Sequence, residues 1–541
     1  MKRYIGATIG PIKETLGYAK KTKDLWSASY LFSYIMREAI KRIKHISNDI
    51  FIVPFTEKDE IFESKKGVGL FHDRFIIQLE EGSKLSLKKI HNEYEEVIKL
   101  LAQELTNNPK NQNNIKKYLM AYINFHVIEM EINEGENPIL KINNALDCVE
   151  LHKQYVAQTE ENAFSMAEYL SKPMKGIDKA FFLKDGFIQG PNFPSLMHIA
   201  LDTLDEISEE KKTIKSIIDK WLNNDNYNEH QEEDAYKEIE KLYRAKKLEL
   251  DYKGTYKYVA IVHVDGDKVG SLISCLLQDN ELNIDQTKLF SEALMKYALD
   301  AKEEISRLGG VPIYAGGDDL LFFAPVHKVL ELVMRIKNLF NKHFLYIKNN
   351  ESYKQIELSL SFGISIQYYK YPLREALEAS RDQLFKKAKN YRNATSNKKK
   401  EAIGIRVLKH SGQYFEICTG LESESYKKLL EMLKEEYSNE TLKAVQYKLR
   451  QDEIVLLEIL NGIGNNIIGE DRLVAYFNNN FNEEVHKERG EKKLEDIREL
   501  MLFIYKEHVI EHEEDKRNIL KHIFAYLQFI RFMQGGMSLD E

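Results

Sequence analysis

The chain has 541 residues, 43% of them hydrophobic and 30% charged, with a formal net charge of −7. That length holds two to four domains, each able to bury a core, and the acidic balance excludes a protein that coats nucleic acid through bulk positive charge. The three cysteines, Cys148, Cys275 and Cys418, form no CxxC pair, which excludes a disulfide framework and a zinc ribbon, and no run of about 18 apolar residues is available to span a membrane.

The opening MKRYIGATIG is too short and interrupted for a signal peptide, so a cytoplasmic protein without a membrane partner is expected. Residues 3–9 read as a strand broken by Gly10-Pro11. The apolar spacing of Leu25, Phe32, Ile35, Met36 and Ile40 predicts helix across 12–43. Residues 49–55 and 69–79 read as further strands or a hairpin arm. From 84 to 250 the pattern is mostly helical, broken by the polar tract 106–114 and punctuated by GFIQGPNFPS at 186–195. The charged span 205–247 reads as a solvated helical pair. A second mixed block follows: strand 258–264, helix 286–308, hairpin 311–324, helix 327–345, strand 357–367, helix 373–390 and strand 402–408. That βαββαβ order is the ferredoxin-like palm pattern. Beyond residue 423 the chain is almost wholly helical, with a break at 461–469. The expected class is α+β: a first, degenerate palm at 1–130, a mostly helical middle domain at 131–250, a second palm at 251–415 and a C-terminal helical bundle at 416–541.

The chemistry concentrates in the second block. The apolar run YVAIVHV ends in Asp265-Gly266-Asp267-Lys268, and Tyr314-Ala-Gly316-Gly317-Asp318-Asp319 stands between two further apolar runs. A hairpin turned through Gly-Gly presents adjacent carboxylates at its tip. Carboxylates from two strands converging on Mg²⁺ or Mn²⁺ are what two-metal phosphoryl transfer requires, since such ions take oxygen ligands and bridge phosphate oxygens. Asp265, Asp318 and Asp319 are the expected metal and catalytic residues, with the Gly266 carbonyl as a further oxygen ligand. Gly316 and Gly317 would let a nucleotide lie against the turn. Lys268 and Lys389 would meet triphosphate charge. The competing reading is an acidic hairpin tip with Asp265 as a helix N-cap; the joint spacing inside a βαββαβ block favours the site.

Other signals are discounted. His508-Val-Ile-Glu511-His512 matches an inverted zinc-protease pattern, but in a charged helix. Gly462-Ile-Gly464 and the following residues to Gly469 resemble a phosphate loop without the Lys-Ser/Thr. His72-Asp73 lacks the companions of a metal-dependent phosphohydrolase, and His263 reads as a packed histidine. The basic clusters Lys20-Lys21-Lys23, Lys41-Arg42-Lys44 and Lys386-Lys387-Lys389 read as solvated faces before RNA contacts.

Three segments together resemble the polymerase-like large subunit of type III CRISPR effector complexes, nearest the Cmr (III-B) kind. They are Ile9-Gly10-Pro11-Ile12 with Lys23-Asp24-Leu25-Trp26-Ser27-Ala28-Ser29-Tyr30-Leu31, then Gly69-Leu70-Phe71-His72-Asp73-Arg74-Phe75, and the Asp265-Gly-Asp-Lys and Gly316-Gly-Asp-Asp319 pair. Lys13 stands where the family commonly has Gln. The resemblance implies two palms, a middle domain and a helical C-terminal domain that meets neighbouring small subunits, with guide RNA and target RNA as partners. It implies target-activated conversion of ATP into cyclic oligoadenylate. Asp265, Asp318 and Asp319 would be the metal residues, and Ser361 and Lys389 nucleotide contacts. The chain opens directly on the first palm, without the family's HD nuclease segment, so no DNase activity is expected. The family's four-cysteine zinc site is not expected either. Relatives of this kind include enzymes joining AMP from ATP to S-adenosylmethionine. In such an enzyme the first palm would hold the sulfonium substrate beside Asp73, Glu63 or Glu150. The alternatives are a GGDEF-like diguanylate cyclase and a nucleotide-binding scaffold without turnover; Asp-Asp in place of Glu-Phe counts against the first, and the presence of all three carboxylates against the second.

Overall fold

The computed structural model describes residues 1–54, 68–151, 166, 193–204, 208–222, 229–245, 254–278, 281–346, 356–435, 437, 439–463, 468–481, 490–508 and 513–535. Its first sheet contains β1 (Lys2–Gly10), β2 (Ile50–Val53), β3 (Arg74–Gln78) and β4 (Asn124–Ile132) in the order β2-β3-β1-β4. Helices α1 (Ile12–Leu16) and α2 (Thr22–Ile46) follow β1. Helices α3 (Leu87–Leu105) and α4 (Pro109–Tyr122) precede β4, and α5 (Pro138–Glu150) follows it. The helix expected over 12–43 is divided at Gly17, which caps α1. Asp24 explains the restart: it is buried and accepts the backbone N–H groups of Lys20 and Lys21 at 3.2 and 3.0 Å, satisfying donors that the first helical turn leaves open. Trp26 and Tyr30, one turn apart, are buried and stacked at 4.7 Å.

The middle segment contributes α6 (Leu196–Ala200), α7 (Glu209–Leu222) and α8 (Glu229–Arg244). The last two bury Ile214, Ile217, Ile218, Tyr236 and Ile239 in a small core shared with Tyr369. Their charged outer faces carry pairs such as Lys220–Glu238, as expected of a solvated helical pair.

The second sheet is built from β5 (Tyr258–Asp267), the short hairpin β6 (Leu277–Gln278) and β7 (Glu281–Leu282) standing apart, then β8 (Val311–Gly316), β9 (Asp319–Pro325), β10 (Ser359–Tyr368), β11 (Ala402–Leu408) and β12 (Tyr414–Gly420). Its order is β12-β11-β10-β5-β9-β8. Helices α9 (Val269–Ser274), α10 (Ile284–Arg307), α11 (Val329–His343) and α12 (Leu373–Asp382) connect them. With β10 and β5 taken as fourth and first strands, β10-β5-β9-β8 repeats the order β4-β1-β3-β2 of the first sheet, the ferredoxin-like arrangement twice over. The C-terminal bundle holds α13 (Glu424–Lys434), α14 (Asn439–Gln451), α15 (Glu453–Ile463), α16 (Ile468–Asn480), α17 (Gly490–Glu507) and α18 (Glu513–Met533).

Several expectations are corrected. β4 lies in a stretch read as helical; Phe125, Val127, Met130 and His126 sit on a strand with one half-exposed face, so its apolar signal is diluted. β12 crosses the junction placed at 415/416 and pairs with β11. The strand expected over 69–79 begins only at Arg74. The helix expected over 373–390 is helical throughout but changes type: α to Asp382, a wider π turn over 383–387 and a 3-10 turn over 388–390. Both palms and the bundle share one continuous apolar core.

Candidate active site between the two palms

β5 runs three residues further than its apolar run, so Asp265, Gly266 and Asp267 are strand residues. The N-cap of the helix that follows is Lys268, at φ +63°, and the cap reading of Asp265 is thereby excluded. On one side Asp265 pairs with Ser361 of β10. On the other the ladder to β9 ends at Val264↔Leu320, one step from Asp265 and Asp319. β8 and β9 meet through Gly317, at φ +69°, and Asp318. Antiparallel pairing therefore gathers Asp265, Asp318 and Asp319 at one end of the sheet.

The three carboxyls repel. Enclosure between the palms, then the charge of Asp265, pushes the Asp318 carboxyl up from its ordinary range. Asp319 reaches the cleft at its tip. Its deep surroundings, a hydrogen bond with Asp265 and the charges of Asp318 and Asp265 push it well above that range. Lys389 is the counter-charge. Its Nζ donates to the Asp265 carbonyl at 3.0 Å, the Gly266 carbonyl at 2.7 Å and Asp267 Oδ1 at 2.8 Å, and it also pairs with the Asp265 carboxylate. Among the described residues no three His, Cys, Asp or Glu side chains are drawn into a closed metal-holding arrangement. The donors present are still those of a hard divalent cation: three oxygen-bearing side chains whose mutual repulsion one lysine relieves only in part. They fit Mg²⁺ or Mn²⁺ by chemistry.

The first palm reaches this site directly. The Gly69 carbonyl accepts the Ala315 N–H at 3.0 Å, so its segment covers the free edge of β8. Phe71 N–H donates to Ser33 Oγ of α2 at 2.8 Å, fixing the same segment from behind. The His72 ring lies over Gly317, where a Cβ would stand 2.6 Å from it. Two cavities flank the Gly317-Asp318 turn and share His72 and Asp73 in their walls. One, of about 320 Å³, adds Arg74, Asn143, Thr287, Gly317 and Asp318. The other, of about 450 Å³, adds Lys13, His263, Tyr314, Asp319 and Arg381.

Two segments of the chain match families of known proteins. Residues 4–107 match the family model described as CRISPR-associated protein Cmr2, N-terminal, and residues 258–397 the model described as Cas10/Cmr2, second palm domain. Over these two segments the chain is similar to the Cas10/Cmr2 family, of the Cmr (III-B) kind. It is 30% identical over 332 residues to the CRISPR system Cmr subunit Cmr2 of Pyrococcus furiosus, a match covering 55% of this chain and 34% of that relative. It therefore spans about a third of the length of the curated relative. Its fold is similar to a chain of a type III-B Cmr-beta complex in the apo state, with a TM-score of 0.60, 12% identity and coverage of 99% of this chain and 82% of the other. For the same kind of complex bound to cognate target RNA the TM-score is 0.57 at 12% identity, covering 99% and 83%. The palm of this family is a nucleotidyl cyclase-like fold.

The remaining expected residues divide. Lys268 is half exposed beside Glu357, 4.0 Å away, directly after β5. Ser361 is corrected: it is fully buried and donates to Asp267 Oδ2 at 2.8 Å, so it braces the strand end and is not a nucleotide contact. The Gly266 carbonyl, expected as a metal ligand, accepts from Lys389. Gly316 is covered by the Tyr314 phenol and Gly317 by His72; both glycines admit protein rings where an open nucleotide face was expected. Asp73 and Glu150 are brought near each other. Burial pushes Asp73 up, against the nearby Arg74 and His72. Glu150 accepts from Thr8 Oγ at 2.5 Å and from Arg74 Nη2 at 2.7 Å. Glu63 lies outside the described residues, as do Glu511 and His512 of the HxxEH match. His508, just past the end of α17, donates from Nδ1 to the Ile504 carbonyl at 2.6 Å. Burial holds His263 down to about 4, and its Nδ1 meets Ser380 Oγ at 2.8 Å, in keeping with a packed histidine. Of the basic clusters, Arg42 pairs with Glu93 and Lys386 with Asp382, while Lys389 turns into the site. Sequence reasoning missed Tyr314, His72 as a site wall, and Asp267. Only Asp267 carried a signal, as the second acid of the Asp-Gly-Asp triplet.

Proposed function

We propose that this chain is the catalytic large subunit of a type III-B CRISPR complex, activated by target RNA, which transfers AMP from ATP to build cyclic oligoadenylate. The observation that carries this reading is the meeting of Asp265, Asp318 and Asp319 beside two cavities that share one wall. One cavity suits the donor ATP and the other an acceptor, so that an acceptor hydroxyl can approach an α-phosphate across the turn. Asp265, Asp318 and Asp319 would hold the divalent cation. When bound, the cation neutralises charge on the phosphates and lowers the pKa of the acceptor hydroxyl. Lys268 offers positive charge to the triphosphate from the rim, and Lys389 keeps the Asp265 strand end in place. The closing of the cleft by the first palm excludes bulk water from the turn. Guide RNA, target RNA and neighbouring Cmr-type subunits are the proposed partners, in line with the assemblies named for the similar structures. Among the described residues no helix is long and apolar enough to cross a membrane. The division into two palms, a middle domain and a bundle is proposed with its last boundary after β12.

A second reading has its own observation. Asp73 stands in both cavity walls, with Glu150 held by Arg74 near it, a carboxyl placed to meet the sulfonium and amino groups of S-adenosylmethionine. In that case the product is its AMP conjugate. The deciding experiment assembles the complex with guide and matched target RNA, adds Mg²⁺ and ATP with or without S-adenosylmethionine, and identifies products by mass spectrometry. Oligoadenylate in both tubes supports the first reading. A conjugate formed only with S-adenosylmethionine supports the second. No nucleotide product from an intact, target-bound complex overturns both.

A further inference from the structure

Asp267 is the best-satisfied carboxylate in the cleft and the one that the reaction above does not use. It is 1% exposed. Its Oδ2 accepts from Ser359 Oγ at 3.0 Å, Ser361 Oγ at 2.8 Å and the Glu401 N–H at 3.2 Å, and its Oδ1 accepts from Lys389 Nζ at 2.8 Å. Four donors engage the lone pairs a carboxylate offers, so Asp267 is a structural anchor and not a vacant ligand. The donors come from β10, from the turn after α12, and from the residue just before β11. Through Lys389 the same anchor reaches the carboxylate and carbonyl of Asp265.

The stretch between Lys389 and Glu401 is tied down at a second place. Asn393 Oδ1 accepts the N–H groups of Thr395 and Ser396 at 3.0 and 2.9 Å, closing a turn. From that turn Ala394 N–H donates to the Glu507 carbonyl at 2.9 Å, and Thr395 Oγ donates to the Lys506 carbonyl at 2.7 Å. These are the last carbonyls of α17, which have no acceptor role within the helix itself. Between the two attachments Asn397, Lys400 and Glu401 hold φ values of +53°, +63° and +47°, a conformation side-chain-bearing residues adopt only where surrounding contacts impose it.

We propose that Asp267 is a positioning residue that holds Lys389 against Asp265, and that the 391–401 loop couples this anchor to the C-terminal end of α17. A shift of that helix end is then transmitted through a short strained loop to the strand end bearing Asp265. The inference rests on the reaction proposed above for its kinetic consequence, and on the loop alone for its structural one.

The test uses the full chain in its assembled complex with three variants: Asp267→Asn, which keeps the size but removes the charge that draws Lys389; Ala394→Pro, which deletes one N–H at a turn position that accepts proline; and Thr395→Val, which deletes one hydroxyl. Hydrogen exchange is followed on peptides covering 258–268 and 388–401. For the two loop variants, exchange at Glu401 and at the 264–267 strand end accelerates by roughly fivefold or more as local protection falls. In kinetics, all three variants lower kcat, Asp267→Asn by roughly tenfold or more, while KM for ATP and bound ATP per subunit stay within about twofold, the pattern of lost positioning. A merely structural defect would lower the ATP stoichiometry instead. Unchanged exchange at the strand end in both loop variants overturns the coupling, and parental kcat in Asp267→Asn overturns the positioning role. If the parent makes no nucleotide product, the reaction reading fails, and the exchange comparison still decides the coupling.

Discussion

The two palms of this chain share a strand order and differ in what their first strands carry. β1 ends Ala7-Thr8-Ile9-Gly10, while β5 ends Val264-Asp265-Gly266-Asp267. The second palm turns its hairpin through Gly317 to expose two carboxylates; the first contributes none from β1, and its His72 and Asp73 come from the connection before β3. A common fold supplies converging strand ends, and chemistry follows only where the side chains at those ends can bind and polarise a substrate. The first palm instead serves as a wall and as the brace on the edge of β8.

Replacing the acids of the second palm breaks the comparison most sharply. Asp318→Asn with Asp319→Asn removes product formation by roughly a thousandfold or more, with assembly of the complex, read by size-exclusion chromatography, unchanged. Product at the parental rate would show the reaction to lie elsewhere. The corresponding change in the first palm has a smaller and different effect. Asp73→Asn lowers product formation by roughly tenfold, mainly through the acceptor's KM, because it lines both cavities and holds no part of the donor carboxylate set; an effect on kcat alone would place Asp73 with the catalytic acids.

The contact between the palms is tested at the turn. Gly317→Ala meets both a left-handed φ and the His72 ring, and should cost about 1–2 kcal/mol in thermal or urea unfolding; pairing it with His72→Ala recovers the part due to the ring, and no recovery would show that the ring is not packed there. Outside both palms, Asp202 ties the middle segment to Lys211, His327 and Lys328, at 2.9 Å for Lys211 and 2.6 Å for Lys328. Burial works against its ionised form, but these partners prevail and hold the carboxyl down to about 2. A lowered carboxyl pKa adds stability that is complete above the unfolded value of about 3.9 and disappears as pH falls through about 2. Asp202→Asn should therefore cost about 2 kcal/mol at neutral pH and close to nothing near pH 2, measured by urea unfolding across pH. A penalty independent of pH would assign the loss to packing.

Much of the second palm was legible beforehand. Its strands are long, apolar and bounded by Gly, Pro or acidic turns, so both the βαββαβ order and the Asp265, Asp318 and Asp319 set follow from local pattern. The first palm was less legible, because β4 carries a half-exposed face and its apolar period is weak. What sequence alone determined is therefore the identity and chain positions of the acids, the hairpin that presents two of them, and the family to which they point. Tertiary structure alone decided that Ser361 braces Asp267, that Lys389 faces Asp265 and Asp267, that protein rings cover Gly316 and Gly317, and that a first-palm connector walls the second-palm site. Those outcomes depend on which face a side chain takes and on what a distant segment places opposite it, and residues far apart along the chain carry no local period to announce that they will meet.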